Sequence, residues 1–254
     1  MRLAIIKPVS PNIQSCVLTH LKRQVIDVAL AIEQHREYEF ALEKLGCKIQ
    51  RLLVEPSMPD SVFIEDTAVV LDEIAIITRP GAISRRPEVK SVAAALDPYR
   101  PLAYIQAPGI LDGGDVLRIG KTLYVGLSDR TNISAIAQLR ECLSSYHYQI
   151  KSVDVRGCLH LKSAVTQVAQ DILLINREWI DSHIFDEMTC IDIASDEPFA
   201  ANALLIGDTV IYPTAFTRTR QKLQENGINV LLVNISEIAK AEGAVTCCSI
   251  VMDI

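Results

Sequence analysis

No run of apolar residues in this 254-residue chain is longer than a handful, far below the roughly 20 that cross a bilayer as a helix. A membrane-spanning helix is therefore not expected. The opening residues Met1 to Pro8 are too short an apolar stretch for an export signal, and no small-residue cleavage site follows them. The expected compartment is the cytoplasm. Positive charge is not in excess either: 25 Lys and Arg stand against 31 Asp and Glu, and the basic residues are scattered. Such a chain offers no face that would track phosphates, so nucleic acid is not an expected partner. The seven cysteines are odd in number, far apart and without a Cys-x-x-Cys pair, so they read as reduced thiols of which one or two do chemistry. A glycine-rich dinucleotide turn is missing as well, since the one Gly-Gly pair, Gly113-Gly114, precedes an apolar strand instead of following one. No metal and no cofactor is implied.

What the chain does have is 49% hydrophobic residues, enough for a sizeable core, and a weak internal repeat of 40 to 50 residues. The unit is a short apolar strand, a tight turn, a second apolar strand, and a polar stretch that often reads as helix. Four copies pair residues 66–71 with 74–78, 115–119 with 122–126, 163–168 with 171–176, and 202–206 with 209–212. The fifth is split between the chain ends, residues 245–252 supplying its first strand and residues 2–6 its second. Pairing the two ends would close a ring and leave neither strand as a bare edge. Ile133, Ile136, Leu139 and Leu143 carry helical spacing, and residues 218–226 read as a helix stopped by Gly227. The expected fold is an α/β five-bladed propeller over residues 1–254 as one domain. The alternation of strands and helices also allows an open doubly wound sheet, but that fold lacks its glycine-rich turn here.

The start of the first strand in each unit carries residues unlike a core: Glu65 and Asp66, Asp112 and Asp115, His160 and Lys162, Asn202, and Cys247. Taken singly, a strand cysteine is usually packing, a lone histidine structural, and an aspartate next to glycine a turn residue. Their common register in a ring would aim all of them at one axis. Cys247 and Cys248 read as neighbours on a strand, so their side chains face opposite sides. Cys248 would then share the core stripe of Ile250 and Met252, leaving Cys247 as the candidate nucleophile.

Several longer motifs carry a family resemblance. Pro59-Asp-Ser-Val-Phe-Ile-Glu-Asp66, Thr78-Arg-Pro-Gly-Ala-Ile-Ser-Arg-Arg86, Leu111-Asp-Gly-Gly-Asp-Val116 and Val125-Gly-Leu-Ser-Asp-Arg-Thr-Asn132 resemble dimethylarginine dimethylaminohydrolases. So do Leu159-His-Leu-Lys-Ser163, Ala200-Ala-Asn202 and Glu242-Gly-Ala-Val-Thr-Cys-Cys-Ser249, in order from about residue 27 to residue 250. The resemblance implies the pentein fold, a five-bladed α/β propeller, and hydrolysis of a methylated L-arginine to L-citrulline and methylamine or dimethylamine. It implies Cys247 as nucleophile, His160 as general acid and base, and Asp112 as the acidic partner of His160. Glu65 and Asp66 would hold the guanidinium, and Arg85 and Arg130 the substrate carboxylate. Asp60 and the backbone carbonyls of Leu18 and Ala241 would receive the α-amino group. Residues 10–22, which depart from the family's sequence, would form a lid. The implied ligand is a small guanidino amino acid, and a homodimer is compatible with the sequence.

Three rival readings remain. An arginine deiminase would perform the same chemistry on unmethylated substrate, but members of that family carry an additional helical domain for which this chain has no room. A non-catalytic binding protein on the same ring, like the ribosome anti-association factor of eukaryotes and archaea, would have no use for Cys247, His160 and Asp112 together. A thiol peptidase would need an Asn or Gln oxyanion donor placed beside Cys247, or a papain-like Cys-Gly-Ser-Cys run, and neither is present.

Overall fold

The computed structural model describes residues 1–254 and contains fifteen strands. In chain order the first eight are β1 (Arg2–Ile6), β2 (Cys47–Arg51), β3 (Ala68–Val70), β4 (Ala75–Ile77), β5 (Leu102–Tyr104), β6 (Val116–Ile119), β7 (Thr122–Leu127) and β8 (Gln149–Asp154). They are followed by β9 (Val165–Ala169), β10 (Ile172–Ile175), β11 (Thr189–Asp192), β12 (Leu204–Ile206), β13 (Thr209–Pro213), β14 (Asn229–Val233) and β15 (Ile250–Asp253). They form five sheets of three, ordered β15-β1-β2, β3-β4-β5, β6-β7-β8, β9-β10-β11 and β12-β13-β14. In every sheet the middle strand runs antiparallel to the first strand of its repeat and parallel to the third.

The parallel step needs a crossover, and in four sheets a helix supplies it: α1 (Val28–Lys44), α2 (Val89–Leu96), α3 (Ile133–Leu143) and, after the short α4 (Leu161–Ala164), α5 (Thr217–Glu225). Only the β10 to β11 crossover makes do with a single 3₁₀ turn, Ser182–Phe185. In α3 the apolar spacing works as expected for Ile136, Leu139 and Leu143, which are buried. Ile133, the first residue of that helix, instead projects into solvent with 61% of its surface exposed.

The middle strands explain why their sequences read as unbroken apolar runs. Side chains alternate faces along a strand, and here each face meets a different neighbouring sheet. Leu3 and Ile5 of β1 pack with Ala75 and Ile77 of β4, whereas Ala4 and Ile6 pack with Ile211 of β13. Ile76 of β4 packs with Leu123 and Val125 of β7, and Tyr124 of β7 with Leu173 and Ile175 of β10. Leu174 of β10 in turn packs with Val210 and Tyr212 of β13. The five core clusters thus link the sheets in cyclic order, with the last sheet packed on the first. Consistent with a common axis, residues from the first strands of all five sheets, among them Val70, Val116, Thr166, Leu205 and Val251, line one cavity of about 610 Å³.

The chain ends meet as antiparallel partners, Leu3 opposite Met252 and Ile5 opposite Ile250. The last strand is shorter than its sequence suggests. It begins at Ile250, and residues 245–248 form a turn before it. Cys247 and Cys248 therefore do not sit on a strand, and Cys248 does not share a stripe with Ile250 and Met252. It is fully buried in the cluster of Ile6 and Ile211, while Ile250 and Met252 belong to that of Ile5 and Ile77.

Ile250 both pairs with β1 and fills the contact between the first two sheets. Ile250→Ala should cost about 2 to 5 kcal/mol of unfolding free energy in urea, the usual range for emptying such a site. A loss below about 1 kcal/mol would mean that the terminal pairing carries little of the fold's stability.

Candidate active site

The residues expected to carry chemistry come from short turns that lead into the first strands. Asp66 lies in a 3₁₀ turn (Ile64–Thr67) before β3, and Asp112 immediately precedes another (Gly113–Asp115) before β6. His160 caps α4 ahead of β9, and Cys247 lies in the turn before β15. Asn202 joins the last two of these turns. Its amide donates to Lys162 O and Thr246 Oγ1, each at 3.0 Å, and accepts from Thr246 N at 3.1 Å.

Cys247, His160, Asp66, Asp60, Arg85, Arg130 and Ala241 line one small cavity together with Val17, Phe63, Leu159 and Glu242. The free space in it is about 20 Å³, on the order of one water molecule. Asp112 lies behind the imidazole, fully buried, with Oδ2 3.1 Å from His160 Nε2. Its other oxygen accepts from Gly81 N at 2.9 Å. The glycines of the Asp-Gly-Gly-Asp turn are required by close approach. A Cβ on Gly114 would lie 2.6 Å from His160 Nδ1 and 2.9 Å from Asp66 Oδ1, and one on Gly113 only 2.0 Å from the Glu65 carbonyl oxygen.

Three of the expected site residues have surroundings that the sequence does not show. Glu65 does not line this cavity: Lys162 Nζ lies 2.5 Å from its carboxylate and Thr246 Oγ1 donates to it at 2.8 Å, and all three residues line the axial cavity. Adjacent residues in the turn point to different sides, and Lys162 has claimed this one. The side chain of Leu18, whose backbone carbonyl was the expected contact, packs against the core, and its neighbour Val17 lines the cavity and donates its N–H to Asp60 Oδ1 at 3.0 Å. Arg85 is held by the protein itself, with Nε and Nη2 on Glu88, Nη1 2.5 Å from Asp66 Oδ2, and Nη2 also on the carbonyls of Asp60 and Phe63. Arg130 is the freer guanidinium: Nη2 donates to Thr19 Oγ1 at 2.9 Å, and Nη1 stands 3.9 Å from Asp112.

The sequence reading assigned no role to Glu88, Glu242 or Asp115. Glu88 was detectable, being three residues after Arg85 on a helical turn. Asp115 is a fully buried carboxylate without a cation in contact; it accepts from Ser128 Oγ, Thr131 Oγ1 and Leu161 N. Thr131 Oγ1 in turn accepts from Asp112 N, so Asp115 braces both the turn bearing Asp112 and the one bearing His160.

Electrostatics follow from this burial of like charges. Desolvation opposes protonation of His160, but the carboxylates of Asp66, Asp112 and Asp115 outweigh it and raise the imidazole to about 9. Burial alone would raise Asp66, yet His160 and Arg85 hold it below the usual carboxylate range. Asp115 is lifted to about 6 by desolvation, against its hydrogen bonds and the pull of His160. Cys247 is pushed up to about 12, first by burial and then by the charges of Glu65 and Asp66. At neutral pH the site is thus a thiol beside an imidazolium, with a surplus of carboxylates. Asp66, Asp112 and His160 each offer a ligand atom within 4.8 Å of the others, but their oxygens and ring nitrogen already bind one another or Arg85. Such an arrangement suits a cationic, planar ligand and a leaving group that needs a proton.

A family model described as N,N dimethylarginine dimethylhydrolase, eukaryotic, matches residues 13–253. The chain is 36% identical over 249 residues to the N(G),N(G)-dimethylarginine dimethylaminohydrolase of Streptomyces coelicolor, spanning 97% of this chain and 95% of that one. Among solved structures, a cysteine-to-serine variant of the Pseudomonas aeruginosa dimethylarginine dimethylaminohydrolase, complexed with citrulline, is similar with a TM-score of 0.94. Its sequence identity is 32%, and the match covers 98% of both chains. The N-terminal domain of ArgZ, a cyanobacterial arginine dihydrolase bound to its product, is similar in fold alone, with a TM-score of 0.89 at 18% identity over 98% of this chain and 96% of that one.

The charge arrangement can be tested without any substrate. Only the thiolate is alkylated, so neutral iodoacetamide should react slowly with Cys247 at pH 7, and the rate should still be climbing at pH 10. Peptide mapping separates Cys247 from the other cysteines. A plateau reached with an apparent pKa below about 7 would instead reveal a preformed thiolate–imidazolium pair.

Proposed function

The chain belongs to the dimethylarginine dimethylaminohydrolase family, and from that premise we propose that it hydrolyses an N-methylated L-arginine to L-citrulline and methylamine or dimethylamine. The observation that carries this reading is the shared cavity of Cys247, His160 and Asp66, with Asp112 behind the imidazole. A guanidinium carbon is already electron-poor and its group cationic, so the site needs anions around it and a proton for the departing amine. Asp66 and Asp112 supply the first, and a His160 raised to about 9 arrives protonated to supply the second.

Binding of the guanidinium brings a fixed positive charge beside Cys247, which lowers its pKa and releases the thiol proton to solvent. The thiolate adds to the guanidinium carbon. His160 then passes its proton to the methylated nitrogen, the C–N bond breaks, and the neutral amine leaves an S-alkylthiouronium on Cys247. The neutral His160 takes a proton from water as the oxygen adds to the same carbon. Collapse breaks the C–S bond as the departing sulfur takes the proton of the new hydroxyl group, which returns the Cys247 thiol and leaves the neutral urea of citrulline. At the amino-acid end, Arg130 takes the carboxylate, assisted by what remains free on Arg85. Asp60, with the backbone carbonyl of Ala241, takes the α-amino group. Asp60 suits this task because Val17 and Arg85 help hold it in place. No helix is long and apolar enough to cross a membrane. We place the enzyme in the cytoplasm, with residues 1–254 as one catalytic domain and a homodimer as its assembly.

The deciding assay incubates the protein with arginine, monomethylarginine and asymmetric dimethylarginine and follows both citrulline and the released amine. Citrulline with a methylated amine is expected; citrulline and ammonia from arginine alone would assign the deiminase chemistry instead. Cys247→Ser should abolish turnover with the fold intact, and Cys248→Ala should keep at least about a tenth of it, since only the thiolate at position 247 is required. Reversed outcomes would place the nucleophile wrongly.

The two arginines should separate in kind. Arg130→Ala should raise KM by roughly one to two orders of magnitude, the loss of a charge-assisted contact of about 1.5 to 3 kcal/mol. Arg85→Ala leaves Glu88 as an unpaired buried charge and takes from Asp66 its direct ion pair, and should chiefly lower stability, by about 3 to 5 kcal/mol. Steady-state kinetics and urea unfolding on both variants check this. An unchanged KM in Arg130→Ala would rule out carboxylate recognition there.

A further inference from the structure

Residues 17–26 run from the cavity wall at Val17 to the neighbouring cavity at Leu21 and Gln24 without joining any helix or strand, and no backbone–backbone hydrogen bond involves any of them. What holds the inner part of this segment is mainly one side chain. The carboxylate of Glu242 accepts from the backbone N–H of Thr19 (2.9 and 3.1 Å), His20 (2.6 Å) and Leu21 (2.5 Å). Three successive N–H groups converging on a carboxylate form an anion nest built from the chain itself. The other ties of residues 17–21 run to the substrate-binding groups: Val17 N donates to Asp60 Oδ1, and Arg130 Nη2 donates to Thr19 Oγ1, while residues 23–26 are held separately through Gln14, Cys16 and Lys240.

Glu242 is also conformationally unusual. Its φ is +61°, a left-handed conformation that a side-chain-bearing residue adopts at a cost. That conformation turns the carboxylate back over the cavity, which Glu242 lines beside Ala241 and Leu159. The same residue walls a neighbouring, largely apolar cavity of about 370 Å³, roofed in part by Leu21 and Gln24 of the same segment. The free space around Cys247 is too small for an amino acid, so a wall must move for substrate to enter, and the segment that begins at Val17, without backbone–backbone hydrogen bonds, is the wall held by side chains alone.

We infer that Glu242 is a positioning residue for the amino-acid end of the substrate. By gripping the Thr19–Leu21 amides it seats residues 17–21, and through them it fixes Asp60 and Arg130 over the closed cavity. Glu242 neither touches the reacting atoms nor supplies a proton; it sets how well the closed site forms. The inference rests on the functional reading above for the roles of Asp60 and Arg130, but the seating of the segment is independent of it.

The test uses the full-length protein with Glu242→Gln, which keeps the shape but turns an NH₂ toward the amides, and Glu242→Ala. Losing charge-assisted contacts should raise KM for the methylated arginine about tenfold while kcat stays within about threefold. In the substrate-free protein at pH 9, the rate of Cys247 alkylation by iodoacetamide should rise about tenfold in both variants, because the cover over the thiol is loosened. If the alanine variant does not fold, the isosteric glutamine variant decides alone. Alkylation and KM both equal to wild type would overturn the proposal, as would a tenfold fall in kcat with KM and alkylation unchanged. Faster alkylation in variants whose parent turns over no guanidino substrate would uphold the latch and sink the functional reading.

Discussion

Every middle strand of this fold is buried on both faces, and neither face can be satisfied within its own sheet. Leu3 and Ile5 need one neighbouring sheet, and Ala4 and Ile6 need another. A sheet of three short strands with apolar residues on both faces cannot cover either face by itself, so each is clamped between two others. That condition recurs in all five units and is met by cyclic packing, in which β1 and β15 meet as partners from opposite ends of the chain. The axial cavity is the geometric remainder of that packing, and the turns entering the first strands are delivered to its ends.

Chemistry follows from what those turns carry. Asp66, Asp112 and Asp115 share a buried volume with one imidazole, and their mutual repulsion is relieved by keeping that imidazole protonated and by Arg85. The same negative field withholds the thiolate from Cys247 until a cation arrives. A resting thiol is less open to adventitious oxidation and alkylation than a thiolate, so charge arrangement serves selectivity as well as rate. Lys162 matters here by subtraction. It turns Glu65 toward the axial cavity, so that of the two adjacent acids only Asp66 faces the cavity of Cys247.

The rigid and the adjustable parts of the site are physically distinct. Cys247, His160 and Asp112 stand on turns locked by buried hydrogen bonds, among them those of Asn202 and Asp115. The cover over them has no backbone ladder and hangs on side chains, chiefly Glu242. Segments held in this way open at lower free energy than packed strands, which suits a cavity that must admit an amino acid and then exclude water.

The sequence by itself determined the periodic features. Five paired apolar runs, the split of one pair across the termini and the glycine pair before β6 are local properties of the chain, and they specified a propeller of small sheets. The candidate reactive positions share a common register in the sequence, and Cys247 is set apart from Cys248 there by a strand geometry that the turn at 245–248 replaces; in the fold Cys247 lines the cavity and Cys248 lies in the core. Tertiary structure alone decided which of two adjacent acids faces the cavity, which arginine remains free, and what anchors residues 17–21. Those choices depend on partners distant in sequence: Lys162 is 97 residues from Glu65, and Glu242 is 223 from Thr19. A side chain's partner at such range is set by how sheets pack in three dimensions, and no local pattern of residues encodes it.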